Sequence, residues 1–583
     1  MNKRKLTSEE IEFLLDFIKP NLKIPPETAE SVMMLTKKRF RKQLIDQLLY
    51  PEVIPDLKIL LEKNYRESLI DPGTSVGILC AQSIGERQTQ NSVSYDEDII
   101  VKINNQVSKI KVGELIDNEI KEGIIYSDGE DSFIKKVDNI KVMTVSQDEK
   151  IEWKQVSEIS KHPVNGDLIQ VTTRTGRKVI TTLSHSHLKK HNDSIVPILG
   201  SELKVGDRIP IIKTTPESLN NCSSVNISDY IEYDTIDDEL IYLNRSNLRN
   251  TISMDGKFAW LLGAYLAEGN CTDYTVCITN INPEFEENVR LFCEFMDLSY
   301  RKTKKFGNTP TMPNTIYESI SYHISSIILA RFIKSLCNTG SETKKIPTFV
   351  YGASKKFIAT FIKGYMDGDG NVSSGKNKEV RVHSICKELV EEFRTLFTYF
   401  GIFSTVSISK HNKNSTLYQL TIYGKEYITK FKDEIGSDLP YKKEHLNILT
   451  QKEDDCSSRV EKIPYHIGRH ITKISSLLSL KGHSRTYSRY ERYSDSIGRV
   501  TLGRFIQIFK EESERKQINI NDHLKYCLIS YNSDIVWDEI VDISIIKESD
   551  YNYKYVYDFS VPGNETFALF SGIVVHNTLN TLI

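Results

Sequence analysis

The chain contains a triplet near its end, His576-Asn577-Thr578, whose side chains could break and remake a peptide bond. An asparagine amide can attack its own backbone carbonyl, which forms a succinimide and cleaves the following peptide bond. A neighbouring histidine can protonate the leaving group or hydrogen-bond the carbonyl. The threonine hydroxyl that follows is a possible nucleophile. The triplet follows a strand-like segment, so we interpret it as a peptide-cleavage site.

A second candidate site consists of two acids, Glu268 and Asp369, which end two similar apolar helix patterns. Each pattern has a glycine in its middle, Gly263 or Gly364, and a second glycine after the acid. A mid-helix glycine costs about 1 kcal/mol relative to alanine, so the repeated position indicates close helix packing. Close packing would bring together two carboxylates, which suit Mg²⁺ and phosphodiester hydrolysis. The alternative is that both acid-glycine pairs are only helix C-caps.

The elements around these residues change character along the chain. Thr7 to Glu10 forms a capping box before a helical pattern, and residues 1–91 are mostly helical in pattern, including a predicted helix over Ser75–Gly85. Helical periodicity returns at 257–266 and 357–366. Alternating patterns predict strands on both sides of that region, so we expect an α/β domain inserted into an all-β domain. The clearest predicted strands are 99–103, 167–173, 178–182, 555–561 and 573–575.

Composition excludes several classes of protein. The 583 residues are 39% hydrophobic and 26% charged, with a formal charge of -2, which argues against a uniformly basic nucleic-acid binder. Nine cysteines without a Cys-x-x-Cys pair argue against structural zinc and a disulfide framework. No signal peptide and no apolar run of about 18 residues is present. We expect an intracellular protein (in the cytoplasm, or in a nucleus or virion) that is not secreted and has no membrane partner.

The two acidic helices resemble the paired motifs of LAGLIDADG homing endonucleases, although Leu266 stands where the first motif usually has another acid. The resemblance implies two αββαββα repeats on double-stranded DNA, with Mg²⁺ held by Glu268 and Asp369. Lys344-Lys345-Ile346-Pro347 resembles the family's Lys-x-Ile-Pro segment, which makes Lys344 a candidate catalytic lysine. Lys443 is its expected counterpart in the second repeat.

Basic and aromatic side chains alternate downstream of the second repeat, a mixture that suits DNA contact. The alternative is an exposed helical segment between domains. The residues are Arg485, Tyr487, Arg489, Tyr490, Arg492, Tyr493, Arg499 and Arg504.

The C-terminal triplet resembles an intein splice junction, and other intein motifs precede it in order. Ser92 begins a segment similar to the N-terminal block, with Ser92 as the first nucleophile. Thr182-Leu183-Ser184-His185 matches the Thr-x-x-His block, whose two outer residues polarise the first scissile bond; His187 is an alternative to His185. Asp558 matches the activating acid, while Glu565 stands where a histidine is usual.

This resemblance implies four steps that need no cofactor. Ser92 attacks the Asn91 carbonyl, Thr578 takes over the acyl group, Asn577 cyclises, and the ester rearranges to an Asn91–Thr578 peptide. The implied fold is the all-β Hedgehog/intein (HINT) domain.

Removing the insert joins Asn91 to Thr578 and restores a string that resembles the largest (A″/Rpb1-like) subunit of multisubunit DNA-directed RNA polymerase. The resemblance implies other polymerase subunits as partners and Gln90 and Asn580 near the incoming nucleotide. It also implies the polymerase gene without the insert as the DNA target.

The sequence therefore predicts a multi-domain chain in which a LAGLIDADG endonuclease interrupts a HINT domain between mostly helical host segments. Alternatives are an intein whose endonuclease only binds DNA, a polymerase subunit with a splicing-dead DNA-binding insert, and a HINT domain that cleaves without ligating. The expected boundaries are host 1–91, splicing domain 92–215, linker 216–250, endonuclease 251–440, accessory region 441–530, splicing domain 531–577 and host 578–583.

Overall fold

The computed structural model describes residues 4–20, 26–45, 48–67, 92–121, 126–127, 132–216, 223–237, 239–309, 312–375, 378–412, 415–451 and 461–577. The chain divides into two compact units, Met1–Glu86 and Arg87–Ile583. The helix predicted over Ser75–Gly85 lies outside the described residues. Within the described ranges, no helix combines the length and apolarity needed to cross a membrane.

The first unit is mostly helical. Thr7 accepts a hydrogen bond from the Glu10 amide and donates its own amide to the Glu10 carboxylate, so the predicted capping box is confirmed. The helices bury a small core that includes Leu14 and Leu15. The elements are β1 (Arg4–Lys5), α1 (Ser8–Leu14), α2 (Pro26–Leu44), β2 (Leu48–Leu49) and α3 (Ile54–Glu67).

In the second unit, strands from both ends of the sequence form one structure, called here the β domain (92–215 and 531–577). Strand β30 pairs with β10 and β14, and β31 pairs with β9. The elements are β3 (Asp98–Ile103), β4 (Gln106–Lys111), α4 (Val112–Lys121), β5 (Tyr126–Ser127), β6 (Phe133–Lys136), β7 (Ile140–Val145), β8 (Ile151–Gln155), β9 (Glu158–Pro163), β10 (Leu168–Thr173), β11 (Lys178–Thr182), β12 (Ser186–His191), β13 (Ser194–Leu199), β14 (Arg208–Ile212), β30 (Ile535–Ile546), β31 (Tyr555–Ser560), β32 (Thr566–Ala568) and β33 (Val574–His576).

The segment expected to be a linker is folded. Residues 223–253 form two small antiparallel sheets that bury Val225, Ile227 and Ile241. The linker prediction for 216–250 is therefore wrong for this part, because its polar residues alternate with apolar ones that reach the core. The strands are β15 (Ser224–Asn226), β16 (Thr235–Asp237), β17 (Leu240–Leu243), β18 (Ser246–Arg249) and β19 (Thr251–Ser253).

The next part, called here the repeat region (256–434), has the order αββαββα twice. Its two four-stranded sheets have matching strand orders, β20-β21-β23-β22 and β24-β25-β27-β26. The elements are α5 (Gly256–Glu268), β20 (Gly269–Cys271), β21 (Thr275–Thr279), α6 (Pro283–Met296), β22 (Tyr300–Thr309), β23 (Met312–Ser325), α7 (Ile327–Cys337), α8 (Lys355–Gly368), β24 (Asn371–Ser373), β25 (Glu379–Ser384), α9 (Lys387–Thr398), β26 (Thr405–Asn412), β27 (Ser415–Tyr423) and α10 (Lys425–Glu434).

A helical segment (461–531) with its own hydrophobic cluster follows the repeat region. Helix α11 (Pro440–Gln451) lies in the sequence between the repeat region and this segment. The elements of the segment are β28 (Lys462–Ile463), α12 (Gly468–Leu477), α13 (Arg489–Arg492), β29 (Ile497–Gly498), α14 (Arg499–Lys516) and α15 (Asn521–Tyr531).

Candidate functional sites

Ser92 lies between two strands of the β domain. The next residue, Val93, exchanges backbone hydrogen bonds with Tyr557 on β31 (2.8 and 3.1 Å) and bridges Thr181 on β11. Both pairings are antiparallel, so Ser92 stands opposite Asp558 on one side and Thr182 on the other. The Thr182 amide donates to the Ser92 carbonyl at 3.0 Å. The three predicted residues are therefore cross-strand neighbours.

Asp558 and the Ser92 hydroxyl are both buried, each about 1% exposed. Among the described residues, Ser92 Oγ has no hydrogen-bond partner. Asn91, the residue before it, lies outside the described part of the chain.

A tight turn places His185 next to this strand pair. The His185 amide donates to the Thr182 carbonyl at 3.0 Å, and the His185 side chain is fully buried. His187, the alternative, contacts Thr181 Oγ1 through Nε2 at 3.1 Å. Burial lowers the pKa of His187 to about 4, so this ring is neutral at physiological pH. The two rings lie 5.4 Å apart, edge to face.

The C-terminal junction is formed by the hairpin of β32 and β33, in which Thr566 pairs with His576. Asn577 is buried, and its amide donates to the Glu565 carbonyl at 2.9 Å. His576 Nε2 lies 3.7 Å from Glu565 Oε2. Strand β33 also contacts β12, which begins next to His185. Both candidate splice ends therefore belong to one side of the same domain, while Thr578 lies outside the described residues.

The ionisation of His576 reflects opposing influences. Burial lowers its pKa, whereas a hydrogen bond with the Asn577 backbone and the negative charge of Glu565 raise it. Glu565 adopts a left-handed backbone conformation (φ 54°), which turns the chain back toward β33. The histidine is thus held beside the residue whose peptide bond is predicted to break.

The two acidic helices, α5 and α8, pack against each other with their backbones in close contact. A Cβ at Gly263 would overlap the Phe361 carbonyl, and a Cβ at Gly364 would overlap the Trp260 carbonyl. The prediction that these glycines serve helix packing is therefore confirmed. Gly269 is extended (φ −87°, ψ 150°) instead of left-handed, so it is not the αL cap of the alternative interpretation.

The acids at the ends of these helices lie close together, and the charge of Glu268 acts on Asp369. Glu268 Cγ would lie 2.8 Å from a Cβ at Gly368, the residue before Asp369. Two causes raise the pKa of Asp369 to about 7: first, loss of hydration to the protein around it, and second, the negative charge of Glu268. The Asp369 residue still keeps an exposed surface. Burial also raises the pKa of Glu268, whereas a 3.2 Å hydrogen bond from Asn280 lowers it.

Two buried lysines cap the acidic helices in the same way. Lys344 Nζ donates to the carbonyls of Tyr265, Leu266 and Gly269, each at 2.9 Å. A cation at a helix C-terminus is favourable because the carbonyl ends carry partial negative charge. Burial lowers the pKa of Lys344.

In the second repeat the matching residue is Lys442, whereas Lys443 is exposed, so the expectation for Lys443 is wrong. Lys442 Nζ donates to the carbonyls of Met366 (2.6 Å), Asp367 (2.9 Å) and Gly368 (3.4 Å). Burial lowers the pKa of Lys442 to about 8.

The departure at Leu266 falls on a buried position. Its counterpart in the second helix, Asp367, is also buried, and accepts hydrogen bonds from Ser437 Oγ (2.5 Å) and the Asp438 amide (3.1 Å). Asp367 thus anchors a neighbouring loop, and Leu266 removes no acid from the Glu268–Asp369 pair.

Part of the predicted DNA-contacting set is internal to the helical segment. Arg499 is buried, pairs with Glu461 and donates to the carbonyls of Ser530 (2.8 Å) and Ile535 (3.0 Å). Tyr487 is buried against phenylalanine rings. These two residues cannot reach DNA, so their prediction is wrong. Those that remain exposed are Arg485, Arg489, Arg492, Tyr493 and Arg504.

Helix α9 joins the repeat region to the β domain. Buried Glu392 accepts from Lys109 Nζ on β4 (2.9 Å) and from the Ile346 amide (2.7 Å), close to Lys344. One turn further on, Thr395 Oγ1 donates to the Phe570 carbonyl (3.1 Å), in the loop before β33. The same helix therefore contacts segments that lead to both candidate sites.

A comparison with known families shows that the chain belongs to the inteins. The family model described as "Intein splicing domain" matches residues 101–577.

The chain is also 36% identical over 527 residues to DNA-directed RNA polymerase subunit Rpo1C of Methanocaldococcus jannaschii. That alignment covers 89% of this chain and 58% of the relative, so the chain spans less than two thirds of the relative's length.

Solved structures similar to this chain include inteins and a homing endonuclease. The transcription factor IIB Mvu mini-intein is 32% identical over 22% of this chain and 72% of its own, with a TM-score of 0.21. I-DmoI in complex with DNA and Mn is 17% identical over 32% of this chain and 99% of its own, with a TM-score of 0.25.

Proposed function

We propose that the element Ser92–Asn577 excises itself and joins Asn91 to Thr578 by a peptide bond. The observation that carries this proposal is the register that sets Ser92 opposite both Thr182 and Asp558. In the first step, Ser92 Oγ attacks the Asn91 carbonyl and its proton passes to the leaving amide nitrogen, which yields an ester. Thr182 and His185 polarise this bond, and Asp558 supports the proton transfer.

The second half of the reaction uses the hairpin at β33. The Thr578 hydroxyl displaces Ser92 from the ester, which leaves a branched intermediate. The Asn577 amide nitrogen then attacks its own carbonyl, while His576 donates a proton to the departing Thr578 nitrogen. The freed amine attacks the ester, which becomes the Asn91–Thr578 peptide bond. The hydrogen bond between Asn577 and Glu565 supports this role, since it fixes the backbone at the cleavage point.

The test is to express the chain and follow intact masses over time. We expect the 66.9 kDa precursor to give way to the Ser92–Asn577 element and a ligated host product. Two host fragments that stay separate would instead identify cleavage without ligation, and a persistent precursor would contradict the proposal.

We also propose that the repeat region cuts double-stranded DNA at the polymerase gene that lacks the insert, as a LAGLIDADG homing endonuclease. The described residues contain no group of three His, Cys, Asp or Glu side chains placed to hold a metal ion. However, Mg²⁺ keeps several waters and needs only one or two carboxylates. Glu268 and Asp369 fit this requirement, because the negative charge of Glu268 raises the pKa of Asp369, and a cation between the two acids would relieve that repulsion.

Bound Mg²⁺ would stabilise charge on the attacked phosphate and on the attacking water. The residues of the chain position the acids: α5 and α8 hold them side by side, and Lys344 and Lys442 fix the helix ends that carry them. A plasmid that contains the predicted target, incubated with the purified element and Mg²⁺, tests this proposal. Binding without cutting would favour the DNA-binding alternative.

For the flanking residues we propose a segment of an RNA polymerase largest subunit, which functions inside the cell with other polymerase subunits after ligation. Gln90 and Asn580, proposed near the incoming nucleotide, lie outside the described residues. Co-purification of the ligated host product with the remaining polymerase subunits tests this assignment.

A further inference from the structure

Two arginines from different parts of the second unit meet in its interior. Arg177 lies in the turn between β10 and β11 of the β domain, and Arg394 lies on α9 of the repeat region. They are 1% and 3% exposed. Burial lowers the pKa of both, and the positive charge of Arg177 lowers that of Arg394 further. Because a guanidinium remains charged in proteins, the interior must supply counter-charge.

The available partners leave part of each guanidinium unused. Arg177 Nη1 donates to Thr175 Oγ1 (2.5 Å) and the Ser404 carbonyl (3.3 Å), and Arg394 pairs with Glu391. Within the described part of the chain, Arg177 Nε and Arg394 Nη1 are buried without a hydrogen-bond partner. Leaving a charged donor unsatisfied in the interior is costly, because its hydration is lost and not replaced.

Asp538, whose charge acts on both arginines, is already engaged. It accepts hydrogen bonds from both the backbone amide and the hydroxyl of Thr175. The negative charge of Asp538 raises the pKa of both arginines and so opposes the effect of burial. It does not accept a hydrogen bond from Arg177 Nε or Arg394 Nη1.

A small cavity separates the β domain from α9 at this point. The centre of a water-sized particle can occupy ≈ 10 Å³ within it, so the cavity holds one small particle. The polar residues that line it are Arg177, Arg394, Thr215, Thr395, Thr398 and Ser571.

We propose that this cavity binds a single small anion, chloride under ordinary conditions, which accepts hydrogen bonds from both arginines. A monatomic anion fits the volume and supplies the missing acceptor to two donors at once. Its negative charge also reduces the repulsion between the guanidinium groups. Since the cavity touches Ser571 and Gly572, the anion stabilises the loop that precedes β33 against the repeat region.

The experiment uses the full chain with Ser92→Ala and Asn577→Ala, so that the precursor stays intact. Crystals soaked in bromide should show one anomalous peak between Arg177 and Arg394. Replacing gluconate by chloride at constant ionic strength should raise the melting temperature by about 3 °C when chloride is about 100 times its Kd. A site filled by water only, with no bromide peak and no chloride effect, would overturn the proposal.

Variants separate anion binding from general stability. Arg394→Met should abolish the chloride effect, and Arg394→Lys should retain part of it. Arg499→Met is the matched control, because Arg499 is equally buried but bonded to Glu461 and to backbone carbonyls. This variant should lower the melting temperature and keep the chloride dependence. If Arg394→Met does not fold, the bromide experiment on the parent chain still decides the question.

Discussion

The repeat region and the β domain build their sites in opposite ways. The Glu268–Asp369 site consists of two similar halves: in each, one helix ends in an acid, and a lysine from later in the sequence caps that helix. The second copy repeats the arrangement at matched positions. In the β domain, Ser92 meets Thr182 and Asp558 only because strands from both ends of the sequence pair around it. The repeated acidic helices can be found in the sequence as a motif. The neighbours of Ser92, by contrast, are known only once the register of the paired strands is known.

The largest expected effect separates the two chemistries. Ser92→Ala together with Asn577→Ala removes the first nucleophile and the cyclising amide, so splicing should fall by about 10³-fold or more. DNA cutting by the same precursor should continue, because neither residue belongs to the repeat region. Intact-mass measurement and plasmid cleavage on one preparation check both outcomes. Normal splicing in this variant would overturn the assignment of both junctions.

The reciprocal change removes one acid from the pair. Glu268→Gln or Asp369→Asn keeps the side-chain size and removes the negative charge, so DNA cutting should fall by about 10²-fold or more. The rate of splicing, followed by intact mass, should stay the same. If either variant cuts normally, that acid does not belong to the cutting site.

A smaller effect is expected from crowding the helix contact. Gly263→Ala places a methyl group against the Phe361 carbonyl, a backbone atom that cannot move aside easily. We expect a loss of about 1–3 kcal/mol in the free energy of unfolding, together with weaker DNA cutting. Urea unfolding measures the loss. Gly375→Ala is the matched control, since a Cβ there would meet nothing within 4 Å.

The smallest effect concerns pH at the C-terminal junction. The charge of Glu565 raises the pKa of His576, so Glu565→Gln should lower that pKa. Protonated His576 then persists only at lower pH, so the pH at which C-terminal cleavage declines should fall, by a small amount because Glu565 is partly exposed. The measurement follows cleavage against pH in a Ser92→Ala background, which blocks the first step.

Glu152→Gln is the control for this experiment. Glu152 accepts a hydrogen bond from Asn564 at 2.8 Å, next to Glu565, but makes no contribution to the pKa of His576. Its pH profile should match that of the parent. A profile that does not move in Glu565→Gln would show that His576 works without this carboxylate.

Local features of the fold were predictable where the deciding interactions lie within a few residues. The capping box at Thr7 depends on a residue three positions away. The strands near 168–173 and 178–182 follow from alternation. The glycines at 263 and 364 predicted helix packing, because each one destabilises its own helix and both occur at the same position of the repeat.

Features that depend on tertiary contacts were not predictable in the same way. Adjacent helical positions point about 100° apart, so spacing alone could not show that Lys442, and not Lys443, faces the acidic helix. Arginine is a residue type that often contacts DNA, but Arg499 is held inside the protein by Glu461 and by backbone carbonyls of other elements. The sequence does not show those partners. The opposition of Ser92 and Asp558 likewise follows only from the pairing of Val93 with Tyr557.

Helix α9 bears on how the element can be shortened in evolution. Deleting the repeat region would leave Lys109 without Glu392, its buried partner, and the loop at Phe570 without the Thr395 hydroxyl. A compact descendant would keep Asp98 as a partner of Lys109 at 3.3 Å, but it would need a new donor for the Phe570 carbonyl. Until such a donor arises, selection for splicing also preserves α9, even in lineages that have no further use for cutting DNA.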